Sequence, residues 1–185
     1  MNLTHNKRAV GIFSGYEEAE NALNKLQYSG FAMDKVSIVF KENNRSKINH
    51  VDEEAKARAM AGVAVGGLTG LLVGMGILAI PGVGSILLAG KTATAIASTL
   101  AGGAIGSLTG GLVGSLVGLG ISEEQAQVYH NHLTRGNYLV IVDGTEAEIR
   151  GAGKILRRRG IQDWEVYPTE IIKQEIDPRF SLMKL

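Results

Sequence analysis

Asn137-Tyr-Leu-Val-Ile-Val-Asp-Gly-Thr-Glu-Ala-Glu148 changes from one kind of secondary structure to another within a short span. Tyr138 to Val142 are aromatic, aliphatic and β-branched side chains that favour a strand. Gly144 and the acidic residues after it mark a helix start, where carboxylates complement the positive end of the helix dipole. The apolar spacing predicts a helix from Thr145 to Arg159, with Ile149, Ala152 and Leu156 turned inward. Gly160-Ile161 closes it in the manner of a left-handed cap followed by a hydrophobic contact, and Trp164-Glu-Val-Tyr167 reads as a short second strand. The segment is one βαβ unit.

The N-terminal part repeats this grammar. Ala9-Val-Gly-Ile-Phe-Ser14 reads as a strand, Tyr16 to Tyr28 as an amphipathic helix with Ala19, Leu23 and Leu26 inward, and Lys35-Val-Ser-Ile-Val-Phe40 as a second strand. Gly15-Tyr-Glu-Glu-Ala-Glu20 opens this helix and Gly30-Phe31 closes it, as in the other half. Two such units make an α+β, ferredoxin-like split βαβ domain, expected as a four-stranded sheet with helices on one face. A helix from Ser122 to Arg135 re-enters the domain, with Ser122 and Gln125 placed as a capping box.

Between the halves lies a different kind of sequence. From Ala59 to Ser122 the only formal charge is Lys91, and glycine recurs at every fourth position in two runs: Gly62, Gly66, Gly70 and Gly74, then Gly102, Gly106, Gly110, Gly114 and Gly118. A four-residue step keeps these positions near one helix face, leaving a groove without side chains along which another helix backbone can lie. Ala61–Gly74 and Ala101–Gly114 are copies, identical at 10 of 14 positions. Ile80-Pro-Gly-Val-Gly-Ser85 breaks the first helix and turns the chain, so the stretch is expected to be an inserted glycine-zipper helical hairpin, with Lys91 near its tip.

Two environments satisfy such a hairpin. Residues 59–80 would extend about 33 Å as a helix, enough for a hydrocarbon core of about 30 Å. A membrane-inserted or membrane-apposed hairpin is one reading. An assembly in water, with the glycine faces buried between copies, is the other. Each exposed helical glycine costs about 1 kcal/mol relative to alanine, so close packing or lipid must offset the pattern.

Composition narrows the function classes. The net charge is +1, with nine basic against eight acidic residues before Ala59 and nine against ten after Ser122, a balance that gives no support to nucleic-acid binding. The absence of cysteine removes disulfides, thiolate nucleophiles and thiolate metal sites. The N-terminal residues lack the long apolar region of a secretory signal, so the polar parts are expected in the cytoplasm.

The Phe13-Ser-Gly-Tyr-Glu-Glu-Ala-Glu20 turn, the double glycine zipper and the Asn137–Val142 strand together resemble the bacterial general stress protein family, whose cyanobacterial members are often labelled low-temperature-induced proteins. The resemblance covers roughly residues 7 to 168. It implies a stress-related role, no established enzymatic activity and no catalytic residue to carry over.

Enzymatic motifs are weak when taken singly. Ser85-Ile-Leu-Leu-Ala-Gly-Lys-Thr92 approaches a phosphate-binding loop, but serine replaces the first glycine, no strand is expected before it and no acidic metal ligand lies nearby. His130 and His132 are two apart on a helix and point to different faces, whereas shared metal ligation needs a spacing such as four; His5 and His50 lie in polar stretches. No catalytic, cofactor or metal residue is therefore expected.

The expected organisation is an N-terminal half (1–58), the glycine-zipper hairpin (59–121), a helix with the C-terminal half (122–168) and a tail (169–185). Lys56, Arg58, Arg157, Arg158 and Arg159 are candidates for contact with anionic headgroups, although the three arginines also suit the negative end of a helix. The tail alternates apolar and charged residues and could dock on a protein partner or be a frayed end. The functional expectation is a non-enzymatic, stress-related, membrane-associated homo-oligomer that self-assembles through its glycine-zipper helices and scaffolds or stabilises a membrane, with its polar domain in the cytoplasm. Its alternative is a soluble oligomeric regulatory or partner-binding module with a ferredoxin-like domain.

Overall fold

The computed structural model describes residues 6–41, 76–80, 84–101 and 111–169. Strand β1 (Asn6–Phe13), helix α1 (Tyr16–Tyr28), a 3-10 turn (Met33–Lys35) and strand β2 (Val36–Lys41) form the first unit. Then come β3 (Gly76–Ile80), β4 (Gly84–Ala89), α2 (Lys91–Ala101), α3 (Leu112–Gly118) and α4 (Glu123–Thr134). The second unit is β5 (Tyr138–Thr145), α5 (Glu146–Arg157) and β6 (Gln162–Pro168). The flanking elements thus stand where the apolar periodicity places them.

The six strands form one sheet in the order β3-β4-β2-β5-β1-β6, and every neighbouring pair is antiparallel. Burial decides how this sheet is covered. Val36 to Phe40 and Tyr138 to Val142 are buried at consecutive positions, as are Ala9, Val10, Ile12 and Phe13. Successive strand side chains point to opposite faces, so an unbroken buried run requires cover on both sides. On one side α1 and α5 supply Leu23, Leu26, Ile149 and Leu156 against Phe13, Ile38, Phe40 and Val140. On the other, α2, α3 and α4 supply Ile96, Leu116, Tyr129 and Leu133 against Val10, Ile12, Leu139 and Ile141. The expected four-stranded sheet with helices on one face is therefore corrected to six strands between two helical layers. Each large aliphatic side chain withdrawn in this way contributes about 2 kcal/mol.

The segment between the halves also departs from expectation. Residues 76–80 and 84–89, expected as the end of one zipper helix and its turn, are an antiparallel strand pair with Ile77 opposite Leu87 and Ile80 opposite Gly84. Short apolar runs do not distinguish strand from buried helix by periodicity alone. Here the open edge of β2 selects the strand, because β4 satisfies that edge with Ile38 opposite Ala89 and Lys41 opposite Ile86. Lys91 is not at the tip of a hairpin: it opens α2, and its Nζ lies 2.8 Å from Asp34 Oδ2 on the surface of the domain. Gly62, Gly66, Gly70, Gly74, Gly102, Gly106, Gly110, Lys56, Arg58 and the tail from Glu170 lie outside the described residues.

Helix ends follow the chemistry of their termini. Gly30 (φ +84°) and Gly160 (φ +89°) adopt the left-handed conformation, and the following N–H groups of Phe31 and Ile161 donate back to Leu26 and Leu156 carbonyls, as expected. The capping box forms at α5, not at α4. Ser122 flanks α4 without a side-chain cap, whereas Thr145 Oγ1 accepts from Glu148 N and Glu148 Oε2 accepts from Thr145 N at 2.8 Å. Lys35 Nζ, 2.6 Å from Glu148 Oε1, and the Thr145 amide hold the Glu148 carboxyl down to about 2.

Thr145→Ala should lower stability by about 1 kcal/mol in urea unfolding, the usual worth of a helix cap; an unchanged midpoint would mean that the box carries no weight. The depressed Glu148 carboxyl gives a second expectation. Its contribution is complete above the ordinary value of 4.5 and is lost as pH falls toward 2. The stability difference between the native chain and Glu148→Gln should accordingly be constant from pH 7 to 5 and shrink below pH 4.5.

Candidate functional site

Helix α5 packs across β5, β1 and the edge strand β6, and the way the chain builds that edge defines a groove. Gly11 allows the approach: a Cβ there would stand 2.7 Å from Ile161 Cδ1 and 3.0 Å from the Trp164 ring. The β1–β6 register shifts between Val10 and Ile12, turning the start of β6 so that Asp163 takes a left-handed φ of 49°. Trp164 then lies against α5 at Gly153, where a Cβ would meet the indole Nε1 at 2.9 Å. Gly153 thus lets helix and sheet approach, while no described atom lies within 4 Å of a Cβ at Gly151.

The groove between α5 and β6 encloses about 340 Å³. Ile149, Trp164 and Val166 line it with apolar surface, and Lys7, Arg150, Lys154 and Arg157 bring cations to it. Glu146 is its acidic member; Lys7 Nζ, 3.1 Å away, lowers that carboxyl below its usual range, with a smaller contribution from Arg150. The remaining cations face an apolar floor beside the edge strand of the sheet. Such a site can attract and orient an anionic group.

A second polar cluster fastens the lower helical layer. Arg8 and Asp143 stand opposite one another on β1 and β5; Arg8 Nε donates to Asp143 Oδ1 at 2.8 Å and its Nη1 to the Leu119 carbonyl at 3.0 Å. Thr92 Oγ1 donates to Asp143 Oδ2, and Ser37 Oγ accepts from Thr92 N at 3.1 Å. These bonds tie the start of α2 and the end of α3 to the sheet. They also settle the phosphate-loop candidate. A strand, β4, does precede Gly90-Lys91-Thr92, against expectation, but helix follows after the single residue Gly90. The space in front of Gly90 is filled by Val36 O and Ser37 Oγ, within 2.5 Å of where a Cβ would be. A phosphate has no room there.

The predicted residues divide as follows. Arg157 lines the groove, and Arg158 and Arg159 continue the exposed helix end. Of the zipper glycines, Gly114 and Gly118 fall in α3; no described atom lies within 4 Å of a Cβ at Gly118. Gly118 borders a hollow of about 540 Å³ lined with Arg8, Val117, Gly120, Pro168 and Thr169. His132 does not join His130: its Nε2 is 3.0 Å from Asp163 Oδ2 and its Nδ1 is 2.8 Å from Asn137 Nδ2. Beside it the Tyr129 hydroxyl donates to the Asp163 carbonyl at 3.1 Å and lies 3.1 Å from Tyr167 Oη, and burial pushes its pKa up. Among the described residues no group of three His, Asp or Glu could hold a metal ion, and no helix is long and apolar enough to cross a membrane.

The groove residues Lys7, Arg150, Lys154 and Trp164 were not singled out by motif. The signal was available, since Glu146, Arg150, Gly153, Lys154 and Arg157 recur at helical spacing in a stripe beside the core stripe of α5.

These features define a mixed α/β domain with a cationic groove at one sheet edge. Residues 8–78 match the family model described as the heat induced stress protein YflT domain, consistent with the bacterial general stress proteins that the sequence resembles. The match takes in the first βαβ unit and the start of β3. Neither the curated proteins nor the solved structures gave a match.

Arg8→Met would leave Asp143 partly buried without its guanidinium and remove the donor to Leu119 O. A loss of about 2 kcal/mol in urea unfolding is expected; a change below about 0.5 kcal/mol would mean that the cluster behaves as an ordinary surface pair.

Proposed function

We propose that the chain is a non-enzymatic, stress-related binding module. Its frame is a ferredoxin-like split pair of units, β1-α1-β2 and β5-α5-β6, with α2, α3 and α4 folded back over the sheet. The strand order β2-β5-β1-β6 supports this frame, because one strand of each unit separates the two strands of the other. The observation that carries the functional reading is the groove, where Arg150, Lys154 and Arg157 stand over an apolar floor. An anionic partner is the ligand class that this charge favours. At 50 mM salt the native chain should be retained on a heparin-type polyanion matrix. Arg150→Glu/Lys154→Glu should elute early without loss of its circular dichroism. Equal retention of the two proteins would remove the groove from consideration.

A second reading, self-association through the glycine faces with apposition to a membrane, is favoured by α3. Its Leu112, Val113 and Leu116 are buried, yet Val117 is 41% exposed beside the uncovered Gly118. That arrangement leaves a backbone-lined strip on which another helix can lie. The arginines at the end of α5 would then face anionic headgroups. Gly118→Leu and Gly110→Leu should reduce the particle size in sedimentation velocity and the fraction floating with anionic vesicles. No change in either measurement would count against the zipper.

A further inference from the structure

The binding-module reading leaves the chemistry of the partner open, and the edge of the sheet narrows it. Strand β6 ends the order β3-β4-β2-β5-β1-β6, so beyond its pairing with β1 it offers a second row of backbone N–H and C=O groups with no strand partner among the described residues. The cationic stripe of α5 borders the same groove as this edge. Lys154 and Arg157 have no acidic partner among the described residues, whereas Lys7 is held by Glu146. A sheet edge with a row of cations beside it matches two properties of one ligand: an extended backbone, and negative side chains along one of its faces.

We infer that the free edge of β6, beside this groove, accepts an extended acidic peptide segment of a partner protein as a seventh strand, its carboxylates directed to Arg150, Lys154 and Arg157. Backbone pairing supplies the affinity, and the alternation of side chains supplies the selection. Residues at every second position of the added strand face α5, so acidic side chains there meet the cations. The intervening residues lie on the face of Asp163 and Glu165, both exposed, and must be neutral or basic. The preferred segment therefore alternates acidic with uncharged residues. A second copy of this chain fits poorly. Two β6 strands paired about a two-fold axis would bring two α5 stripes together and set Asp163 and Glu165 near their own counterparts. Like charges face each other on both sides of such a sheet. A lipid surface uses the cations but leaves the backbone edge of β6 unpaired.

The test uses the intact chain and a fluorescein-labelled eight-residue peptide in which Glu alternates with Val. Fluorescence anisotropy at 50 mM salt should show saturable binding, weakened at least tenfold in Arg150→Glu/Lys154→Glu. Amide exchange in Gln162–Tyr167 should slow when the unlabelled peptide is added. A peptide of the same composition with its four Glu residues in one block should bind at least tenfold more weakly. Equal binding of the two peptides, or unchanged exchange in β6, would overturn the inference. So would binding to phosphatidylserine vesicles with none to the peptide. In either case, retention on the polyanion matrix would leave the broader binding-module reading standing. Loss of retention as well would overturn both.

Discussion

A β-sheet whose strands are apolar on both faces cannot be left with one face in water. This constraint governs the chain. Val10, Ile12, Leu139 and Ile141 form a complete apolar surface on the side away from α1 and α5. Each would cost about 2 kcal/mol if exposed, a sum comparable with the net stability of an ordinary domain. The second layer, α2, α3 and α4, is therefore a condition of the fold. The residues between the two βαβ units provide it, and they also extend the sheet by β3 and β4.

Polar contacts fix where that layer sits. Hydrophobic burial has no direction, but the Arg8–Asp143 pair, with Thr92 and the Leu119 carbonyl, allows one placement of α2 and α3. Ser37 Oγ accepts the Thr92 N–H and so uses a donor at the start of α2. On the opposite layer, Glu148 links the start of α5 to Lys35 beside β2. The same α5 carries the exposed cations of the groove. The face of α5 that closes the core therefore also sets the height of Arg150 and Lys154 above the sheet edge.

Much of this organisation was legible in the residues. Helix α1 occupies the positions that its spacing of Ala19, Leu23 and Leu26 marks, and Gly30 and Gly160 end their helices as the cap chemistry requires. The covered second face was also legible, yet it was missed. Tyr138-Leu-Val-Ile-Val142 is an unbroken apolar run, and an antiparallel strand with one wet face would have alternated. The strands at 76–80 and 84–89 were not legible, because a short apolar run is ambiguous until the edge of β2 presents it with a partner. The groove was half legible. The cationic stripe of α5 could be read, but Lys7 and Trp164 reach it only through the pairing of β1 with β6. The nine-member glycine pattern set residues 59–121 apart from the two halves. It did not say that Leu112, Val113 and Leu116 would cover the chain's own sheet.

Residues 8–78 match a heat induced stress protein domain, and the residues lining the groove all lie outside that match. The family-model match and the binding proposal thus rest on different parts of the chain, and the sheet joins them. The claim beneath both is that this sheet is covered on its two faces by its own helices. The chain has no cysteine, so a single introduced thiol reports the burial of one position. Ile141→Cys on the second face and Val142→Cys on the first should both resist a water-soluble thiol reagent under native conditions and react only on unfolding. Rapid labelling of Ile141→Cys with Val142→Cys protected would mean that the second face is open, and would contradict the account.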